Sequence, residues 1–218
     1  MLKNNERLDD LQINNKFIIQ NKDEYCFTSD AVQLSNFAKV KPNDRVVDLC
    51  SGSGVIGVLI ETKTGCKDIT LVEIQEYMAD MSRRSVEHNN QQDHIKVVNA
   101  PLQGIHKQIG LGCYSVVVCN PPYKDNGVLN DKESISIAKH EIKVNLEEII
   151  AEASKLLKFG GRLYLVNREE RLTDILVYSR KYNLEPKILK ILPSSKGDSI
   201  ILVEAKKGGK SGIRIRMG

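Results

Sequence analysis

With 218 residues, 41% hydrophobic and 28% charged, the chain has the composition of one soluble α/β domain with a modest appendage, not two large domains. No apolar run approaches the roughly 18 residues needed to span a bilayer, and the opening MLKNNERLDDLQ lacks the apolar core of a signal peptide, so a cytoplasmic protein without membrane contact is expected. A net charge of +4 is too mild to demonstrate a nucleic-acid partner, and five cysteines without a C-x-x-C pair read as reduced core thiols, not as a disulfide framework or metal site.

Residues 1–40 form an expected appendage packed on the core, in which LQINNKFIIQ alternates like a small hairpin or edge strands. Thr28, Ser29 or Asp30 can cap a short helix through Phe37. A regular pattern occupies 41–218. RVVDLC is a strand that ends in a glycine turn, VIGVLIET a helix and ITLVE the second strand. Ile74, Met78 and Met81 recur at helical spacing in a segment ending near Asn89, before the third strand IKVV and the fourth, SVVVC. Residues 124–144 show little periodicity and read as a mobile loop. Leu146, Ile149, Ile150, Ala153, Leu156 and Leu157 make the stripe of a helix closed by Gly160 and Gly161, followed by the strand RLYLV. A helix over about 170–182 precedes KILKIL and SIILVEA, two strands joined as a hairpin by PSSKGD. After Glu204 the tail carries Lys206, Lys207, Lys210, Arg214 and Arg216 without an acid, either a solvated tail or a nucleic-acid contact. The alternation implies a doubly wound, seven-stranded, mostly parallel sheet with a terminal antiparallel hairpin.

Two short stretches carry the chemistry. Asp48-Leu-Cys-Ser51-Gly52-Ser-Gly54-Val-Ile-Gly57 holds G-x-G-x-x-G between a strand and a helix, with Glu73 ending the next strand. Alone this is the dinucleotide fingerprint, and an NAD-binding oxidoreductase is one reading. Asp48 tilts the balance, because a carboxylate ahead of the glycines suits a cationic amino-acid moiety better than a pyrophosphate.

The second stretch is Asn120-Pro121-Pro122-Tyr123, which stops a buried strand abruptly. An exocyclic amine conjugated to a ring or carbonyl is a poor nucleophile because its lone pair is delocalised. Two acceptors gripping its N–H groups favour pyramidalisation, and the Asn120 side-chain oxygen and the Pro121 carbonyl suit that task. Tyr123 can stack on the planar group, a contact worth about 1–3 kcal/mol per base. No strong base is required, since orientation and electrostatic complementarity carry the rate.

D-L-C-S-G-S-G resembles motif I of class I S-adenosyl-L-methionine (SAM) methyltransferases, with Cys50 at the first glycine position, and N-P-P-Y resembles the motif of those that methylate adenine, cytosine or glutamine amines. Within that group ERLDDL, FTSDA, DLCSGSG, VEIQ, NPPY, AKHE and KKGGKSGIRI are similar to the small bacterial tRNA adenine-N6 methyltransferases that modify the adenine beside the anticodon of a valine tRNA. The resemblance implies a Rossmann-like fold, SAM as cofactor and tRNA as partner. It makes Asn120, Pro121, Pro122 and Tyr123 catalytic. It puts Asp48, Ser51, Gly52, Gly54, Glu73, Ile74, Asn99, Asn120, Phe27 and Asp30 at the cofactor, Glu73 on the ribose hydroxyls. The usual acid after the third strand is absent, and Asn99 or a backbone carbonyl substitutes at the adenine. Tyr123, Lys124, Lys139 and His140 would meet the substrate, although His140 reads equally as a solvated imidazole. A protein-glutamine methyltransferase and a non-catalytic RNA-binding protein stay open as alternatives. Release-factor glutamine methyltransferases carry a substantial helical domain before motif I, where this chain has 47 residues.

Overall fold

Asn14 and Asn15 adopt positive φ at the turn between β1 (Glu6–Asp10) and β2 (Phe17–Asn21), a conformation asparagine tolerates better than most residues, and the strands pair antiparallel. The computed structural model describes residues 2–24, 26–121, 145–193 and 199–218. The expected loop at 124–144 therefore lies outside the described residues, as do Pro122 and Tyr123. A two-stranded ribbon is marginal alone, and this one is docked. Ile19 packs on Met78 and Met81 of α3 (Glu76–His88), and Arg84 donates to both Glu6 carboxylate oxygens at 2.7 Å. The Arg84 hydrogen bonds hold the Glu6 carboxyl down at about 2.

The main sheet follows. Its strands are β3 (Arg45–Leu49), β4 (Asp68–Glu73), β5 (Ile95–Asn99), β6 (Tyr114–Cys119), β7 (Leu157–Arg168), β8 (Leu184–Leu192), β9 (Ile200–Lys207) and β10 (Arg214–Met217). Their spatial order is β10-β8-β9-β7-β6-β3-β4-β5, and β9 alone runs antiparallel to its neighbours. The sheet is thus the expected doubly wound, mostly parallel one with an antiparallel hairpin. It has one strand more than expected, because the basic tail pairs along β8 as β10.

Burial on both faces explains the unbroken apolar runs. Val46, Val116, Val118, Tyr164, Val166 and Leu202 pack under α1 (Ser29–Phe37) and α2 (Val55–Thr64). Val47, Leu49, Val117, Cys119, Leu163 and Leu165 face the other layer, which includes α4 (His106–Ile109), α5 (Leu146–Leu156) and α6 (Leu172–Lys181). Helix α5 opens with a capping box, in which Asn145 accepts from Glu148 N and its own N–H donates to the Glu148 carboxylate.

Two boundaries differ from expectation. Gly160 and Gly161 do not close α5, which ends where Lys207 Nζ donates to the Ser154 and Leu157 carbonyls. The glycines lie inside β7 at an irregularity in its pairing with β6, Gly160 at φ +80 and Gly161 where a Cβ would stand 3.1 Å from the Ser115 carbonyl. Ile74 precedes α3, whose first residue is Glu76, so its helical spacing with Met78 was coincidental.

The decisive topological feature is the reversal between β3 and β6. From β3 the chain moves outward through β4 and β5, then returns to place β6 on the other side of β3. Open α/β sheets bind ligands in the crevice outside the strand ends at such a switch point. Here the crevice receives the segment after Leu49 and the segment after Cys119, in-register neighbours.

Candidate functional site

Three consecutive demands shape the turn after β3. The chain must leave the strand, reverse and start α2 within five residues, so φ becomes positive at Cys50 (58°), Gly52 (55°) and Gly54 (85°). Ser51 N–H donates to the Val72 carbonyl at 3.0 Å, and Gly54 N–H to the Ser51 carbonyl at 2.9 Å. A Cβ on Gly54 would collide with the Ser82 hydroxyl, and one on Gly57 with Leu71, so both glycines let α2 lie close to its neighbours.

Cys50 is the one non-glycine at positive φ in the bend, and left-handed backbone costs an L-residue about 1–2 kcal/mol. Its thiol recovers part of that by packing against the core layer that includes Cys119. Cys50→Gly is therefore expected to change unfolding free energy by less than about 1 kcal/mol, relief offsetting lost packing. Cys50→Val, β-branched at positive φ, should cost about 2 kcal/mol or more. Urea denaturation measures both. Equal losses for the two variants would mean that thiol packing, not backbone strain, governs this position.

The acids lie against this bend. Glu73, at the end of β4, accepts Gly52 N–H at 2.8 Å on one oxygen and Gln75 N–H at 2.9 Å on the other. It is buried, and burial pushes its carboxyl up against the opposing pull of the amides of Gln75, Gly52 and Ile74. Each oxygen keeps lone-pair capacity for further donors. Asp48 is 0% exposed, and neither of its oxygens has a hydrogen-bond partner among the described residues. Burial first, then the charge of Glu73, pushes its carboxyl well above the usual carboxylate range. A buried carboxylate without partners is costly in a structural role, whereas a cationic ligand would supply what it lacks. The Ser51 hydroxyl, also buried, is likewise unpartnered among the described residues.

Asn99 ends β5 with its side-chain NH₂ donating to the Glu73 carbonyl at 3.0 Å and the Ile74 carbonyl at 2.9 Å. Both partners can only accept, so the amide has a single orientation and Oδ1 is left as the acceptor. A neutral acceptor thus stands where motif-bearing relatives were expected to hold an acid. The half-buried Ile74 contributes its backbone carbonyl here.

Asn120 directly follows β6 and is half-buried, and Pro121 is buried. Strand spacing and rise put the Asn120 Cα roughly 8 Å from that of Asp48. Phe27 packs into the core layer that includes Val55, and its N–H donates to Gln20 Oε1 at 2.8 Å. Asp30, buried in the first turn of α1, accepts from the Ser29 hydroxyl at 3.4 Å. The structure thus gathers Asp48, Ser51, Gly52, Gly54, Glu73, Ile74 and Asn99 around one bend, with Asn120 just past the end of the adjoining strand. Pro122, Tyr123, Lys124, Lys139 and His140 lie outside the described residues. Sequence reasoning missed the Gln75 amide, the second donor that fixes Glu73, because backbone donors leave no signature in residue identity. Among the described residues no cluster of three or more His, Cys, Asp or Glu is arranged to hold a metal, and no helix is long and apolar enough to cross a membrane.

Residues 28–179 match the family model of the methyltransferase small domain. A tRNA1(Val) (adenine(37)-N6)-methyltransferase of Porphyromonas gingivalis is 25% identical over 162 residues, 72% of this chain and 64% of that protein. One from Aliivibrio salmonicida is 20% identical over 179 residues, covering 81% of this chain and 75% of its own length. The chain spans less than two thirds of the Porphyromonas gingivalis relatives it matches, 64% of one strain's protein and 55% of another's. Among solved structures, a "predicted O-methyltransferase" from Agrobacterium tumefaciens superposes with a TM-score of 0.68 at 23% identity, covering 86% of this chain and 85% of that one. TrmN from Thermus thermophilus gives 0.59 at 17% identity, covering 81% of this chain and 48% of its own. At these identities the structural likeness establishes the class I methyltransferase fold.

Proposed function

Because the chain belongs to the methyltransferase small domain family, we propose that it moves a methyl group from SAM to an exocyclic amine, adenine N6 of a tRNA beside the anticodon. The observation that carries this reading is the placement of Asn120 and Pro121 immediately beyond β6, one strand from the glycine bend at the switch point.

The residues present fit the cofactor. Asp48, buried and unpartnered among the described residues, suits an ammonium group. Glu73, held by two amides, suits a ribose diol. Asn99 Oδ1 offers an acceptor to an adenine amine. The same buried acid disfavours the oxidoreductase alternative, since a pyrophosphate beside Asp48 would face an unshielded carboxylate.

When bound, SAM supplies a methyl carbon activated by its sulfonium. The chain's own part is to hold the nucleophile. The Asn120 side-chain oxygen and the Pro121 carbonyl accept the two N–H groups of the target amine, directing its lone pair at the electrophile. Proline locks φ, so the carbonyl keeps its aim without reorganising. The amine becomes acidic only as the new bond forms, so a solvent-linked acceptor suffices for the proton. Tyr123 stacks on the base, which must be splayed from its neighbours to reach the site.

The test is incubation of the protein with methyl-labelled SAM, total tRNA and a protein extract, followed by nucleoside mass spectrometry. Label in N6-methyladenosine from tRNA is expected. Label confined to protein would transfer the reading to a glutamine acceptor, and tRNA binding without transfer at saturating SAM would leave a non-catalytic RNA binder. Glu73→Ala should weaken SAM binding about 10²-fold by calorimetry, because charge-assisted hydrogen bonds are lost together with the Gly52 anchor. An unchanged dissociation constant would remove Glu73 from the site.

A further inference from the structure

Strand β10 turns a basic tail into a fixed surface. Lys187 Nζ donates at 2.8 Å to the carbonyls of both Lys210 and Gly212, and Gly218 N–H donates to the Ile191 carbonyl at 2.9 Å, so the segment is tied along β8. Its side chains alternate between the two faces of the sheet. Arg214 pairs with Ile188 and Arg216 with Lys190, which places both arginines and Lys190 on the face covered farther in by α1. Ile215 and Met217 take the opposite face.

The charge on the arginine face is uncompensated. Arg214 and Arg216 are exposed and Lys190 is half-exposed, and none has an acidic partner among the described residues. Following the register inward, Ile188 pairs with Glu204, which is buried and already faces Arg162 at 3.4 Å. The fold therefore holds three cations side by side on one face without a balancing acid, an arrangement that favours a polyanion over a second copy of the chain, whose own arginines would repel.

The row also has an address. Arg216 pairs with Lys190, Lys190 with Leu202 and Leu202 with Val166, and Val166 lies one residue past the partner of Cys119. Arg216 thus stands level with Asn120, four strands away along the sheet, about 19 Å at ordinary strand spacing. At about 3.4 Å per stacked nucleotide that span is about five or six nucleotides.

We propose that Lys190, Arg214 and Arg216 form a phosphate shelf for the RNA strand whose base enters the site at Asn120, gripping its backbone about five nucleotides from the target. This rests on the RNA reading above. Because the strand is ordered by its pairing to β8, the arginines meet phosphates with less ordering cost than a free tail would incur.

The experiment compares R214E/R216E, K190E and the opposite-face control I215E/M217E with the unaltered protein, using filter binding of unfractionated tRNA from 0.05 to 0.3 M salt and calorimetry of SAM. Phosphate contacts contribute about one unit each to the salt slope. R214E/R216E is expected to weaken tRNA binding at least about tenfold at 0.1 M salt and to lower the slope by about 2, and K190E to lower it by about 1. The control should change neither beyond about threefold, and SAM affinity should be unchanged throughout. Unchanged affinity and slope in both R214E/R216E and K190E would overturn the shelf, as would an equal loss in the control. If the unaltered protein methylates tRNA while the shelf variants behave normally, the shelf falls and the RNA reading stands. If the unaltered protein neither binds nor methylates tRNA, both fall. K190E lies within the body of the sheet, so a loosened β10 in the arginine variant leaves the test decisive.

Discussion

Asn120→Ala is expected to lower methyl transfer by roughly 10²-fold or more while SAM affinity stays within about twofold of the unaltered protein, the pattern of a contact made chiefly in the transition state. In the proposed arrangement the magnitude follows from removing one of two acceptors at the amine. Pro121 still offers its carbonyl, but a single acceptor cannot orient both N–H groups. Asn120→Asp separates acceptor loss from charge, since it keeps an oxygen and adds a formal charge near the sulfonium. Single-turnover transfer at saturating SAM, beside calorimetric binding, measures both effects. If cofactor binding falls as much as turnover, Asn120 belongs to cofactor retention and the amine-gripping role is lost.

Asp48→Asn is expected to weaken SAM binding about 10- to 100-fold, because a charge-assisted bond contributes about 1.5–3 kcal/mol. The same change should improve the ligand-free protein at neutral and alkaline pH, since it removes a buried carboxyl without described partners. The sign follows from linkage. Burial, reinforced by Glu73, raises the folded pKa of Asp48 above its unfolded value of about 3.9. The unfolded chain therefore gives up the proton first as pH rises. The penalty is absent below the unfolded pKa, grows above it and is complete once the folded pKa is passed. Unaltered protein without cofactor should lose stability with rising pH in that window, and the Asp48→Asn protein should lose less. Pairing with an ammonium draws Asp48 into its ionised form, so binding to the unaltered protein releases a proton in the same window. Calorimetry in buffers of different ionisation enthalpy detects that proton. Identical pH–stability curves for the two proteins would show that Asp48 is already ionised and satisfied without cofactor.

Local signals made much of this site legible. The strand-glycine-helix succession from Arg45 to Thr64 is written in residue types that tolerate few alternatives, since a bend with two glycines at positive φ between an apolar strand and an apolar helix has a narrow set of conformations. Glu73 was legible because it closes a buried strand with a charge. The Asn-Pro-Pro-Tyr stop was legible because proline cannot join a ladder.

Other features depended on partners distant in sequence. Gly160 and Gly161 look like a helix stop, yet α5 ends earlier, where the Lys207 ammonium reaches its last carbonyls from β9. No local pattern encodes a contact of that separation. Asn99 looked like a gap in the motif, and the carbonyls of Glu73 and Ile74 give its amide one orientation. The tail after Glu204 reads either as solvated charge or as a nucleic-acid contact, and its segment Arg214–Met217 becomes a strand because β8 presents an open edge to it.

Residue order alone therefore specified most of the elements, the parallel wound sheet and the identity of the bend, its acids and the proline stop, because these follow from periodicity and backbone sterics within a few residues. Assembly of the chain settled which strands adjoin β3, that Asp48 lies buried without a partner among the described residues, and that Lys190, Arg214 and Arg216 share a face. Those outcomes depend on register and burial between segments far apart in the chain, quantities set by packing across the whole sheet.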